Sequence, residues 1–478
     1  MRVEAHAPAP AAPQPSGQGL ERTLGPWALT FLGIGCIIGT GIFVLTGTAA
    51  ARNAGPAVVL SFLLAGAGCA IAALCYAEFA ASLPSSSGSS YSYAYAAFGR
   101  QTAWFVGWNL VLEYLFATST IAVGWSAYVV NLCAQFGLVL PASLTTAPVM
   151  KSATTLGVQF SGAIVNVPAV VVIAIFTLVC CAGIRASSLV NGAIVVLKVG
   201  IIIIFVVAGF AYVDPSNWTP FVPANTGAFG EFGWSGVLRA AAIVFYTFIG
   251  FDSVATAARE ARNPSRTLPL GILGSLVVCA VLYVSVAAIL TGLVPYHLLD
   301  VPAPVALALD THQPLWWLRG LIKCGALCGM TSAIVVTLIA QPRIFLAMAA
   351  DRLLPDSLAA IHPRRHTPLR ATLITGAVSA IIAGAFPIQI LGELVAIGTL
   401  TAFLVVCAGI PVLRRRRPDL PRPFRVPFTE LTCTLGVLIC ALMMLSLPLS
   451  TWIRLIAWSL VGACLYVGYG RSRRGALP

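Results

Sequence analysis

Apolar and polar residues alternate along this chain in long blocks. Twelve blocks are almost wholly apolar: 27–50, 56–82, 102–131, 167–183, 188–213, 235–258, 268–292, 315–349, 369–386, 389–413, 430–448 and 452–469. They run from 17 to 35 residues, and about 20 apolar residues suffice for a helix to cross a bilayer. The pattern predicts an all-α polytopic membrane protein with twelve transmembrane helices. The polar pieces between blocks are each too short to fold as a domain. Residues 1–24 open with an Ala/Pro/Gln/Gly-rich stretch that has no apolar core of a signal peptide, and read as a disordered cytoplasmic tail. The stretch 84–99, PSSSGSSYSYAYAAFG, reads as a turn leading into an interfacial helix that bears Tyr91, Tyr93 and Tyr95.

Composition agrees: 59% of residues are hydrophobic and 9% charged, against roughly 25% charged in soluble domains. That excludes soluble enzymes, secreted disulfide scaffolds and disordered proteins. The net charge of +13 would suggest nucleic acid if it were clustered on a soluble face, but its distribution points to a membrane. With the N-terminus inside, 21 of the 28 Lys and Arg fall on cytoplasmic stretches or span ends. Four fall outside (Arg52, Lys151, Arg319, Arg454) and three within spans (Lys198, Arg239, Lys323). This asymmetry puts both termini in the cytoplasm of a cell (inner) membrane protein. The run Arg414–Arg417 reads as an anchor to anionic lipid, with no nucleic-acid partner. Almost all of the 13 Cys lie inside apolar blocks without a CxxC pair, as small buried hydrophobes. The five His fall in loops, and no HExxH, phosphate loop or nucleophile elbow occurs. No enzyme, metal or cofactor is expected.

Two blocks share an anomaly. The first reads FLGIGCIIGTGIFVLTG, with Gly33, Gly35, Gly39 and Gly41 at its middle; the sixth reads AAAIVFYTFIGFDSVATAA, with Gly250 central and Asp252 next to it. Close helix packing would use a four-residue spacing, which only Gly35 and Gly39 have. Four glycines in nine residues fit an unwound helix better, and backbone is freed at membrane depth only where it lines a cavity. The two blocks lie five helices apart. Discontinuous helices at matching positions in two halves predict an inverted-repeat transporter with a midplane site: repeats at 25–213 and 235–413, then 414–478 with the basic loop, two further helices and a short tail.

Five stretches, IIGTGIFVLTG, GWNLVLEYLFATSTIAVGWSAY, FIGFDSVATAAREARNPSRTLPLGI, QPRIFLAMAADRLLP and IGTLTAFLVVCAGIPVLRRRRPDLPRPFRVP, resemble the cationic amino acid transporter family of the amino acid–polyamine–organocation superfamily. The resemblance spans about residues 22–470. It implies a LeuT-like 5+5 inverted repeat plus two C-terminal helices, and an L-amino acid as the small-molecule partner. Two departures stand out: Arg259–Glu260 where the family has an acidic pair, and DRLLP with Arg352 where it has DGLLP.

By that resemblance, and because broken helices free N–H groups at one half-helix end and carbonyls at the other, Thr40 and Gly41 hold the substrate carboxylate. Carbonyls of Ile37, Tyr246 and Ile249 take its ammonium, and the Tyr246 ring could close as a lid or be an ordinary helix-facing aromatic. Glu113 lies roughly 16 Å into its helix at about 1.5 Å per residue. It either pairs with a basic substrate or bonds internally. Asp252 orients or caps the unwound turn. Met330, in CGALCGMTS, lines the side-chain pocket or fills a gap between helices; as lining it leaves room for small to medium neutral amino acids over cationic ones. Lys198 sits mid-membrane in NGAIVVLKVGIIIIFVV, where insertion costs about 2.5–3.5 kcal/mol. The resemblance places it where sodium-driven relatives hold their cation, against helix 1 carbonyls and the hydroxyls of Thr331 or Ser332. A tethered ammonium there implies proton symport. Lys323 reads as a snorkelling side chain. Antiport, polyamine transport and, as a different class, a channel or receptor remain the alternatives; neither a TVGYG-type filter nor a signalling domain occurs.

Overall fold

The structure, a computed structural model, describes residues 25–83, 89–151, 158–182, 188–256, 261–363 and 367–470. The expected tail at 1–24 and the Arg259–Glu260 departure lie outside them. Each apolar block is a helix or a pair of half-helices. We label them α1 (Pro26–Ile37, then 41–54), α2 (Val58–Ser82), α3 (Arg100–Gln135), α4 (Val167–Ala182), α5 (Ser188–Phe210), α6 (Gly233–Phe245, then Asp252–Thr256), α7 (Pro264–Leu293), α8 (Trp316–Ala350), α9 (Leu369–Ala385), α10 (Ile388–Arg416), α11 (Thr429–Ser446) and α12 (Leu449–Leu465). Among the described residues eight helices are long and apolar enough to span a membrane, and α4, α9 and the first half of α1 are shorter apolar helices.

The packing is non-local. α3 lies against α8 and α10, α7 against α1 and α2, and α9 against α4. Aromatic rings fill the centre: Phe248 and Phe251, at the α6 break, pack on Tyr283 of α7, Tyr76 of α2 and Phe403 of α10 at centroid distances of 5.1–5.6 Å. On the flank, Trp108 and Trp458 stack at 4.7 Å, and each indole N–H donates to the other's backbone carbonyl, joining α3 to α12.

Glu393 and Arg414 sit at opposite ends of α10, and the charges sort between those ends. At the Glu393 end, Arg52 pairs with Asp300 and Arg319 with Asp310, while Lys151 and Arg454 both meet buried Glu393. Lys151 stands on a two-stranded antiparallel hairpin, β1 (Val149–Lys151) and β2 (Val158–Phe160). At the Arg414 end, buried Glu78 accepts from Arg414 Nε at 2.8 Å and Nη2 at 2.6 Å, and from the Val426 amide at 2.6 Å.

Three expectations change. Lys323 does not snorkel: it is 1% exposed and donates to Asp310 at 3.3 Å and Gln135 at 3.1 Å, because the unanticipated helix Pro304–Thr311 brings a carboxylate to it. The run Arg414–Arg417, read as an anchor to anionic lipid, is partly committed to the protein: Arg414 pairs with Glu78, Arg415 with Glu430, and Arg416 donates to the Ala97 carbonyl at 3.0 Å. The helix Ser90–Phe98 turns its tyrosines inward: Tyr93 stacks on Phe79 at 4.7 Å and Tyr91 donates to Asp351 at 2.5 Å.

Candidate functional site

The two broken helices cross in contact. α1 stops at Ile37, passes through extended Ile38, and restarts at Gly41 with a wide turn in which the Thr46 amide bonds back to the Gly41 carbonyl. α6 tightens at Tyr246–Phe248, extends at Ile249 and turns at Gly250, whose φ of +119° favours glycine. Each break touches the other's backbone through a glycine. A Cβ on Gly41 would lie 2.8 Å from the Thr247 Cα, and one on Gly250 would lie 2.7 Å from the Cys36 carbonyl.

A cavity of about 40 Å³ lies at this crossing. Its floor and roof are the breaks: Ile37, Thr40 and Gly41 from α1, and Tyr246, Thr247, Ile249 and Asp252 from α6. Its walls are Tyr114, Ala117 and Ile121 of α3 with Ala333, Val336 and Thr337 of α8. The Thr40 hydroxyl is buried, makes no hydrogen bond of full geometry, and has the Tyr246 hydroxyl as its neighbour. Thr40 and Gly41 open the first turn of the second half of α1, where amides have no intrahelical acceptor. Packing contacts lie beside the cavity toward each end of the fold. Toward the Glu393 end, Pro304 and Leu299 press on Gly47 of α1. Toward the Arg414 end, the Tyr114 hydroxyl lies 3.5 Å from Asp252. Further out, Tyr91 meets Asp351, whose carboxyl is pushed up by burial against the opposing pull of the Tyr91 hydroxyl and Arg100.

The carbonyls freed where α1 unwinds are claimed by two side chains from other helices. Lys198 of α5 is 1% exposed. Its ammonium donates to the carbonyls of Gly35 at 3.3 Å and Ile38 at 3.2 Å, and to the Ser332 hydroxyl at 2.6 Å. Its stem runs over Gly329, where a Cβ would lie 3.5 Å from Lys198 Cε. Three donors meet three neutral acceptors, and among the described residues no carboxylate pairs with it. The Thr331 hydroxyl points elsewhere, accepting from Trp125 Nε1 at 3.1 Å. The second claimant is Tyr283 of α7, whose hydroxyl lies 2.9 Å from the Ile37 carbonyl and 3.0 Å from that of Thr247.

Of the residues singled out in the sequence, Ile37, Thr40, Gly41, Tyr246 and Ile249 converge on the cavity, and Lys198 with Ser332 stands behind it. Met330 is fully buried but is not among the lining residues; its sulfur faces Gly124 of α3. Glu113 is 2% exposed and faces Thr399 and Gly398 of α10, outside the cavity lining. Sequence reasoning missed Tyr283 and the α8 wall of Ala333, Val336 and Thr337. The wall was readable as the helical face one and two turns beyond Met330; nothing local marks Tyr283.

The Amino acid permease family model matches residues 24–468. The Methylthioribose transporter of Bacillus subtilis (strain 168) is 44% identical over 96% of this chain and 95% of its own length. The Branched-chain amino acid permease BcaP of the same organism is 43% identical over 95% and 94%. Cationic amino acid transporter 9, chloroplastic, of Arabidopsis thaliana is 40% identical over 84% and 68%. A multi-pass helical chain with two crossed broken helices and this kinship belongs to the amino acid permease family: it is a LeuT-fold membrane transporter of amino acids and not an enzyme.

Proposed function

We propose that the chain is a proton-coupled symporter of small to medium neutral L-amino acids, working by alternating access between two inverted repeats at 25–213 and 235–413. The observation that carries the coupling is Lys198, a buried ammonium held by neutral acceptors alone on the inner half of α1, α5 and α8. With no carboxylate to hold its charge, it can give up its proton, and doing so releases α1 from α8. In a symport cycle the substrate enters while Lys198 carries a proton and leaves with that proton on the other side, with no sodium required. The α-carboxylate meets the amides at Thr40 and Gly41, and the ammonium meets carbonyls of Ile37, Tyr246 and Ile249.

Neutral substrates are supported by the apolar walls, Ala117, Ile121, Ala333 and Val336, and by Glu113 facing α10. Met330 backs that wall, limiting how far it yields. The relative named as a branched-chain permease agrees. The Arg414 end faces the cytoplasm of a bacterial cell membrane, by the charge asymmetry of the sequence.

The experiment is uptake into proteoliposomes driven by an inward pH gradient, with and without sodium, in wild type and Lys198→Ala. Accumulation that is independent of sodium and lost in the variant is expected. Uptake that needs sodium, or a variant with full pH-driven accumulation, removes Lys198 from the mechanism. A thermal-shift screen against the twenty amino acids and methylthioribose tests the substrate; stabilisation by methylthioribose alone, or by arginine better than by alanine or leucine, overturns the neutral amino acid reading.

A further inference from the structure

Tyr283 occupies a place that neither the gating nor the coupling explains. It is fully buried in α7 and its hydroxyl touches one carbonyl from each broken helix, Ile37 of α1 at 2.9 Å and Thr247 of α6 at 3.0 Å. A phenol has a single proton, so it donates to one carbonyl at a time. Both oxygens are nevertheless gathered around one point, no farther apart than the two contacts laid end to end. Ile37 and Thr247 both line the cavity.

Each backbone carbonyl has two lone pairs. The carbonyl that holds the Tyr283 proton keeps one lone pair for a ligand, and the other carbonyl keeps both. A primary ammonium has three N–H donors, splayed tetrahedrally, so it can serve two neighbouring acceptors at once. It gains most from acceptors that are already convergent, because no ordering cost is then incurred on binding. A hydroxyl at the same position donates only once and gains less from a second convergent acceptor.

We infer that Tyr283 is the positioning residue for the substrate's α-amino group: by offering its one proton to either the Ile37 or the Thr247 carbonyl it keeps both oxygens at one place, and so sets the discrimination between amino acids and their 2-hydroxy analogues. The inference rests on the amino acid reading of the cavity. The hydroxyl acts through the two carbonyls and need not touch substrate. Its ring is separately held by Phe62 and Phe248, at centroid distances of 5.7 and 5.2 Å, so packing and hydroxyl can be perturbed one at a time.

The test compares binding of leucine and 2-hydroxy-4-methylpentanoate, by thermal shift and by competition with labelled leucine uptake, in wild type, Tyr283→Phe and Phe62→Leu. Wild type should favour leucine. In Tyr283→Phe leucine binding should weaken about tenfold, the size of one lost hydrogen bond at roughly 1.4 kcal/mol per decade. The hydroxy acid should change less than twofold, so the preference collapses. Phe62→Leu should lower the ligand-free melting midpoint and leave the preference intact. An unchanged leucine-to-hydroxy-acid ratio in Tyr283→Phe overturns the inference, as does an equal loss for both ligands or a collapse in Phe62→Leu. If wild type binds neither ligand, the neutral amino acid reading itself fails, and that outcome is read before any variant is made.

Discussion

Replacing Gly41 with alanine tests whether contact between the two breaks is what closes the cavity. The added Cβ would stand 2.8 Å from the Thr247 Cα, where carbon atoms prefer about 3.5–4.0 Å. Nearer still are the Thr247 Cγ2 and, at 2.5 Å, its Cβ; a rotamer change moves only Cγ2, so Cβ and Cα stay in the way and the breaks must part by about 1 Å. Overpacking of this kind costs roughly 1–3 kcal/mol. Parting also stretches at least one of the Tyr283 contacts, now 2.9 and 3.0 Å, beyond hydrogen-bonding range, for about 1 kcal/mol more. If the breaks separate when the cavity opens, the open state escapes both terms and the penalty falls on the substrate-holding state. At about 1.4 kcal/mol per decade, leucine affinity should fall on the order of 100-fold. Isothermal titration in detergent measures this directly. Gly392→Ala is the control, because its Cβ would meet only Leu45 methyls at 3.5 and 3.6 Å, an ordinary contact. If Gly41→Ala binds leucine within twofold of wild type, the breaks do not close by touching there.

Two further substitutions probe the Arg414 end. Arg352 has a φ of +56°, the left-handed geometry that costs a side chain about 1–2 kcal/mol. Glycine there gives back roughly 0.5–1 kcal/mol in backbone entropy. Arg100 bonds to the Arg352 carbonyl, not its side chain, so Arg352→Gly should raise the melting midpoint by roughly 1–2 °C; a fall would show that the side chain is needed. Glu78→Gln breaks a carboxylate with 3% exposure away from Arg414 and the Val426 amide. About 2–3 kcal/mol should be lost, and trypsin should cut the 417–425 loop faster; an unchanged cleavage rate would mean the loop is held by other contacts.

The two breaks were legible in the sequence because glycine at midspan has few uses, and Gly41 and Gly250 do mark the crossing points. Lys198 was legible because a cation in a long apolar run demands partners. What stayed hidden is contact between segments. Tyr283 looks like any aromatic in an apolar helix until the fold brings Ile37 and Thr247, 246 and 36 residues away, to its hydroxyl. Met330 could be assigned to a helix but not to the cavity or the layer behind it, since that depends on a rotation of less than one residue's 100°. The clasp of Glu78 on Arg414 joins positions 336 apart, and a run of arginines reads the same whether paired or free. The family departure at Arg352 could be seen but not understood without its backbone angle.

The paired indoles on the flank also carry a timetable. Trp108 on α3 finds its partner carbonyl on Trp458, 350 residues later. At roughly 5–20 residues per second of synthesis, α3 waits roughly 20–70 s in the membrane before α12 exists. Throughout that interval its Trp104 and Trp108 face is open to lipid or to whatever escorts nascent helices, and α12 arrives as the last piece able to cover it. A ribosome that stalls before α12 would therefore release a protein with both breaks and Lys198 complete but an unsealed seam, one that quality control could recognise by exposed indole N–H groups.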